Sequence, residues 1–302
     1  VILAIILTGC QGKENLPQIS LNPSVHSQTN PEPLENKDVL KVGVSSVLSP
    51  RETLENYRPF ADYLQKKIGR PVQLVQRQSY QEINDLVKNQ EVDVAFICSG
   101  AFVVGQKDNL ELLVVPEVNG KSTYQSYIIV NANSSARQFS DLKGRVFGFT
   151  DPISFSGTIA PSYMLNELGT TADNFFGRVV YTYSHDNSIK AVSDGVVSAA
   201  GVDSLVYQFA VAKDASLANN LRIIGQSPEV GSPPVVVNQF IDPNLKVVLQ
   251  EALLEMDSDP LGQQALKALL YDRFVLPDPK AYQMIQQMVE KIPALNQRSS
   301  KG

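Results

Sequence analysis

The chain has 302 residues, 43% of them hydrophobic and 19% charged, enough for a large core and more naturally for two lobes than one. A net charge of -5 with no basic block argues against nucleic acid as a partner. Two cysteines and two histidines supply no metal-ligand cluster, so neither a metal nor another cofactor is expected.

Val1 to Leu7 is an apolar run, too short to span a bilayer, and Thr8-Gly9-Cys10 follows. Leu-Thr-Gly-Cys resembles the lipobox of bacterial lipoproteins, where the signal peptide is cut before a cysteine that then receives lipid. The resemblance implies that residues 1–10 are a signal-peptide remnant and that Cys10 is the lipidation site. The protein would then be tethered to the extracytoplasmic face of a membrane. The alternative is an N-terminal strand with an incidental cysteine. Residues 11–38 are rich in Asn, Gln, Ser, Pro and Glu and are expected to form a flexible tether, with His26 solvated inside it.

Val39 to Val44 reads as a strand ending in Ser45-Ser46. Glu52 to Ile68 reads as an amphipathic helix with Leu54, Tyr57, Phe60, Ala61, Leu64 and Ile68 on one face. Val72 to Val75 is a second strand, and Ser79-Tyr80 opens a short helix. Val92 to Cys98 is the near-continuous apolar strand of a sheet covered on both faces, with Cys98 a buried thiol in it. Leu110 to Pro116 and Thr123 to Val130 are further strands, and Ser140 to Gly144 is a turn-helix segment. Beyond the central stretch, strand Val179 to Thr182 leads into the turn Ser184-His185-Asp186-Asn187 and a helix. Strand Val197 to Val202 leads into Asp203-Ser204 and the helix Leu205 to Ala212. Leu221 to Ile224 and Pro234 to Val237 are strands. Asn244 to Met256, Leu261 to Leu270 and Tyr282 to Ile292 are packing helices.

Alternating strands and helices with short turns predict a doubly wound α/β fold, whose ligands sit beyond the carboxyl ends of the strands. The expected division is lobe 1 from 39–124 plus 226–302 and lobe 2 from 125–225. Thr123–Val130 and Pro233–Val237 would be the two crossovers, a hinge architecture that closes on a ligand.

The organising stretch is Phe149-Thr150-Asp151-Pro152-Ile153-Ser154-Phe155-Ser156-Gly157-Thr158-Ile159-Ala160-Pro161. It reads as strand, hydroxyl-rich turn and helix start. Two serines beside unpaired amides at the positive end of a helix form a socket for a small oxyanion, and Gly157 lets a ligand approach the backbone. An ordinary capped helix is the alternative.

Asp141-Leu142-Lys143-Gly144 followed by Asp151-Pro152-x-Ser154-x-Ser156-Gly157 and Pro161 resembles the substrate-binding proteins of phosphonate, phosphite and phosphate ABC importers. Ser184-His185-Asp186 with Ala191-Val192 and Gly195, and Val92-Asp93-Val94-Ala95-Phe96, are similar to further motifs of that family. The resemblance covers nearly all of 39–292 and implies the type II periplasmic-binding-protein fold. Carried over, it implies an anion held by Ser154, Phe155, Ser156 and Gly157, by His185, and by Tyr80 and Tyr124 from the other lobe. Asp203 lies where the family places polar residues on a helix start facing the cleft, so the resemblance implies a place for it at the ligand too. Each has a structural alternative: a cap for the serines, His185 and Asp203, core packing for His185 and the tyrosines.

Phe155 replaces the family's Thr. The backbone N–H remains, but a hydroxyl is lost, and a hydrogen bond to a charged acceptor is worth ~1.5–3 kcal/mol. Members selective for aminoalkyl phosphonates hold the amine with acidic residues near positions occupied here by Ser204 and Ser232, so a smaller anion is expected: phosphate, phosphite or a short alkyl phosphonate. The implied partners are an ABC permease and ATPase, with the protein monomeric. One alternative is a sensor feeding a membrane kinase. Another is a Ser/His phosphoester hydrolase, with Ser154 or Ser156 paired to His185. The residues contain no nucleophile elbow, P-loop or carboxylate cluster to support an enzyme.

Overall fold

The structure, a computed structural model, describes residues 39–292. Cys10, the segment 11–38 and His26 therefore lie outside the described residues. Among the described residues the strands run in chain order as β1 (Leu40–Val44), β2 (Val72–Gln76), β3 (Val94–Phe96), β4 (Leu110–Glu117), β5 (Thr123–Tyr124), β6 (Ser126–Asn131), β7 (Val146–Phe149), β8 (Arg178–Tyr181), β9 (Ala199–Asp203), β10 (Leu221–Gln226), β11 (Val230–Gly231), β12 (Val235–Asn238) and β13 (Arg273–Val275). Six form a sheet in the order β13-β4-β12-β3-β1-β2, and five form a second in the order β10-β6-β9-β7-β8; β11 and β5 pair as a short ribbon.

β1, β2 and β3 are parallel, with β12 antiparallel to both β3 and β4. In the second sheet β7, β8 and β9 are parallel and β6 runs against β9. Helices cover both faces of each sheet, the doubly wound α/β arrangement that the alternation of elements predicts. The period of two decides which side chain meets which layer. Leu40, Val42, Val44, Val94, Phe96, Val235 and Val237 share one core with Phe60, Leu64 and Leu253. Ala95, Ile97 and Val236 meet Ile83, Ala101 and Phe102 on the other side. In the second sheet Ile128, Val130, Phe147 and Phe149 face one core, and Ile129, Ala200 and Val202 the other.

Three expectations are corrected. The first long helix spans Pro50–Ile68 and buries Thr53, Asn56, Tyr57, Phe60, Tyr63 and Leu64, while Leu54 is 61% exposed. At ~100° per residue the buried stripe centres about a third of a turn from Leu54. Thr123–Val130 is broken at Gln125, with β5 pairing to β11 and β6 entering the second sheet. Pro233–Val237 is not a crossing: β12 is buried at all four positions between β3 and β4, as a strand covered on both faces must be. The chain returns to the six-stranded sheet through Ser227-Pro228-Glu229, where Gln125 Nε2 donates to Ser227 O at 2.6 Å and ties the two connections together.

Topology brings the turns to two facing edges. The carboxyl ends of β1, β2 and β3 lead into Ser45, Tyr80 and Cys98. Because β12 is antiparallel to β3, the residues before it, including Ser232, lie at that same edge. The carboxyl ends of β7, β8 and β9 likewise lead into Thr150, His185 and Asp203.

Candidate functional site

The central stretch begins where β7 ends. Ser154 is an N-cap in extended backbone, and its Oγ accepts the Gly157 N–H at 3.1 Å. The next turn is wider than an α-turn: Ile159 N–H reaches back five residues to Ser154 O at 2.9 Å. This single turn of π-helix over Phe155–Ile159 then passes into the α-helix Ala160–Glu167. Such turns recur at functional sites because they re-aim side chains without ending the helix. Gly157 serves packing: a Cβ there would strike the Thr150 side chain. The approach that its missing side chain permits is therefore to Thr150, where the sequence suggested a ligand.

Ser154 and Ser156 are wholly buried and converge on one imidazole. Ser154 Oγ is 3.5 Å and Ser156 Oγ 3.4 Å from His185 Nε2. The other ring nitrogen is occupied, since the Asp203 backbone N–H donates to Nδ1 at 3.2 Å and Thr150 Oγ1 lies 3.2 Å from it. An Nδ1 that accepts a backbone N–H carries no proton. The neutral ring therefore holds its proton on Nε2, which points it at the two serines. Burial lowers the His185 pKa to about 3, so the ring stays uncharged at ordinary pH.

Asp203 caps the helix Ser204–Lys213, its Oδ1 accepting from Leu205 N–H at 2.7 Å and Val206 N–H at 3.2 Å. Burial raises its pKa to about 7, more than those two amides lower it. It is the Asp203 amide that orients His185, while the buried carboxyl caps the helix. None of the hydrogen-bond partners of Ser154, Ser156 and His185 among the described residues is a lysine or arginine. The cluster is a set of neutral donors.

From the six-stranded sheet come Tyr80, Tyr124 and Cys98. The Tyr80 backbone N–H donates to Asp151 Oδ2 at 3.0 Å, and its hydroxyl is fully buried with no direct hydrogen bond among the described residues. Tyr124 Oη lies 3.9 Å from Cys98 Sγ, which lies 4.0 Å from Ser154 Oγ. The Phe155 ring is buried in the apolar core, edge-on to Tyr124 with centroids 5.5 Å apart. Its backbone N–H, which the sequence left free for an anion, donates to Cys98 Sγ at 3.4 Å. Cys98 is thus at the site rather than inside β3, and Thr150 stands behind His185. The signal for Cys98 was its place just past a parallel strand, where ligands of such sheets sit; the signal for Thr150 was its place in the central stretch itself.

The two edges are in contact. A Cβ on Gly100 would lie 2.5 Å from Ile153 O and 2.6 Å from Phe155 N. Ser49 N–H donates to Asp186 Oδ1 at 3.0 Å, and His185 N–H to Val47 O at 2.9 Å.

A sequence model of a family described as the phosphonate periplasmic substrate-binding protein of ABC transporters matches residues 42–282. The chain belongs to this family of periplasmic substrate-binding proteins. A probable ABC transporter phosphite-binding protein of Prochlorococcus marinus is 22% identical over 270 residues, 85% of this chain and 91% of that protein. A phosphate-import protein of Mycolicibacterium smegmatis is 23% identical over 262 residues, 80% of this chain and 76% of that one. The Prochlorococcus protein has been solved with methylphosphonate; the fold agrees at a TM-score of 0.77 and 20% identity, over 85% of this chain and 98% of that one. The relatives' names thus carry different anions within one family of transport proteins. As a family member the chain is a solute-binding component of ABC transport with the type II periplasmic-binding-protein fold.

Proposed function

We propose that this protein captures a small phosphorus oxyanion (phosphate, phosphite or a short alkyl phosphonate) between two lobes and delivers it to an ABC permease and its ATPase. The lobes would be 39–124 plus 226–302 and 125–225, hinged at Gln125 and Ser227-Pro228-Glu229. One observation carries this reading. Buried hydroxyls and the His185 ring gather after the strands of the second sheet, and at the facing edge of the six-stranded sheet the hydroxyls of Ser45, Tyr80 and Ser232 are buried without a direct hydrogen bond among the described residues. An unpaired buried hydroxyl costs ~1–3 kcal/mol, which an oxyanion accepting from it would offset. Ser154, Ser156 and the His185 Nε2–H supply the opposite side, and hydrogen bonds to a charged acceptor are the strong kind.

The Asp203 carboxyl, held up to about 7, supports a ligand that shares a proton with it. In Asp203→Asn, calorimetry across pH should then lose discrimination between protonation states of the ligand. The Ser/His hydrolase is disfavoured by the imidazole itself. A general base needs an open Nε2 lone pair toward the serine, whereas Nε2 here carries the proton. Lipidation at Cys10, with anchoring to the extracytoplasmic face of a membrane, belongs to the same proposal and rests on the lipobox resemblance; delivery rather than sensing rests on the family.

A thermal-shift panel tests the reading. Phosphate, phosphite or methylphosphonate should raise the unfolding midpoint by mass action, and sulfate and aminoethylphosphonate should not. No shift with any phosphorus anion would contradict it; a shift with aminoethylphosphonate alone would overturn the selectivity inferred from Ser204 and Ser232.

A further inference from the structure

The helix His185–Ser193 starts with an amide that is satisfied from outside its own sheet. His185 N–H donates to Val47 O at 2.9 Å, in the turn after β1. One residue on, Asp186 Oδ1 accepts the Ser49 N–H at 3.0 Å, at the start of the helix Pro50–Ile68, which has no side-chain cap of its own. Each helix start is thus completed by the turn of the facing sheet. Leu48 lies between the two bonded residues. Val47 and Leu48 pack against the second sheet's core that includes Ile129, Ile189 and Val206. Leu48 lines a groove of about 440 Å³ there, together with Ile189, Val206, Phe209 and Leu217. The same residue is anchored on the six-stranded side, where Leu48 O accepts from Thr53 Oγ1 and from Gln76 Nε2, both at 3.2 Å. At the rim Lys213 Nζ lies 2.6 Å from Glu52 Oε2, but a partly exposed ion pair contributes little beside apolar burial.

Resting on the reading of anion capture between two lobes, we propose that Leu48 is a positioning residue for His185. It seats the turn after β1 against the second sheet, and the seated turn gives the helix that carries the imidazole its first acceptor. When the sheet edges part, Leu48 leaves the groove and the His185 N–H loses Val47 O. Setting the ring and closing the gap are then one event. An arriving anion meets the site before the turn is seated, whereas a departing one must wait for it to unseat, so Leu48 governs release more than capture.

Stopped-flow tyrosine fluorescence with methylphosphonate and with phosphate tests this on the wild type, Leu48→Ala and Leu48→Met. The alanine variant should release the anion roughly tenfold faster, with an association rate within about twofold of the wild type. Methionine refills the groove and should restore release to within about threefold. Hydrogen exchange supplies the readout specific to His185: under saturating anion its amide should exchange about tenfold faster in Leu48→Ala than in the wild type, while the unliganded melting point moves by no more than a few degrees. Unchanged release, a slower association that accounts for the lost affinity, or a His185 amide as protected as in the wild type would reduce Leu48 to packing and overturn the proposal, with the capture reading intact. A wild type that binds neither anion removes the capture reading itself, and this inference with it.

Discussion

At the scale of single residues, burial works against the charged forms of His185 and Asp203. His185 and Asp203 are shifted in opposite directions, to about 3 and about 7, against ordinary values of 6.5 and 3.8. Between pH ~4 and ~6.5 the unfolded chain binds more protons than the native protein at His185 and fewer at Asp203. Raising the pH through that window therefore adds stability through the histidine, complete above its unfolded value. The same change removes stability through the aspartate, which contributes fully only below its own unfolded value. The two slopes largely cancel in the wild type. Melting points measured across the window should rise with pH in Asp203→Asn, which leaves the histidine's slope alone, and fall in His185→Gln. Wild-type-like profiles in both variants would mean that these groups are not buried as described.

At the scale of elements, the central turn depends on close approaches that only glycine allows. Gly157→Ala drives a methyl into the Thr150 side chain and should destabilise the protein by ~1–3 kcal/mol, measured by denaturant unfolding. Gly100→Ala is different in kind, because the atoms it would strike, Ile153 O and Phe155 N, belong to the turn that follows β7 in the other sheet. It should hold the two edges apart, lowering anion affinity at least tenfold while leaving the unliganded melting point within a few degrees. A fall in melting point with unchanged affinity would show that the contact belongs to the fold and not to closure. The meeting of Ser154, Ser156 and His185 was legible in the sequence because each follows a strand within a few residues, at the end where such turns gather. Cys98 on the Phe155 amide and Asp151 on the Tyr80 amide were not legible, since 57 and 71 residues separate the partners and only the meeting of two sheet edges joins them. The crossing was misplaced for a related reason: an apolar run such as Pro234 to Val237 fits a linking strand or a core strand equally well, and the pairing partners of β12 decide between them.

At the scale of the whole molecule, two sheet edges that meet are proposed to hold an anion inside an acidic protein. Two aspartates that follow strands of the second sheet reach the first sheet's turns, Asp151 on Tyr80 N–H and Asp186 on Ser49 N–H. Each places an acceptor at the positive end of a helix. Asp186→Ala should shift the population toward the open form and weaken ligand binding about fivefold, seen in calorimetry and as a larger radius of gyration in X-ray scattering. The charge balance makes a second prediction. With a net charge of -5, long-range forces oppose an approaching anion, so the association rate measured by stopped flow should rise with ionic strength. A falling rate would reveal a cationic steering patch.

The most direct measurement is calorimetric titration of methylphosphonate into the wild type and the Ser154→Ala/Ser156→Ala double variant. Removing both hydroxyls from the His185 cluster should weaken binding by two orders of magnitude or more, each contact to a charged oxygen being worth ~1.5–3 kcal/mol, while the unliganded protein stays folded. A double variant that binds as tightly as the wild type would contradict the account.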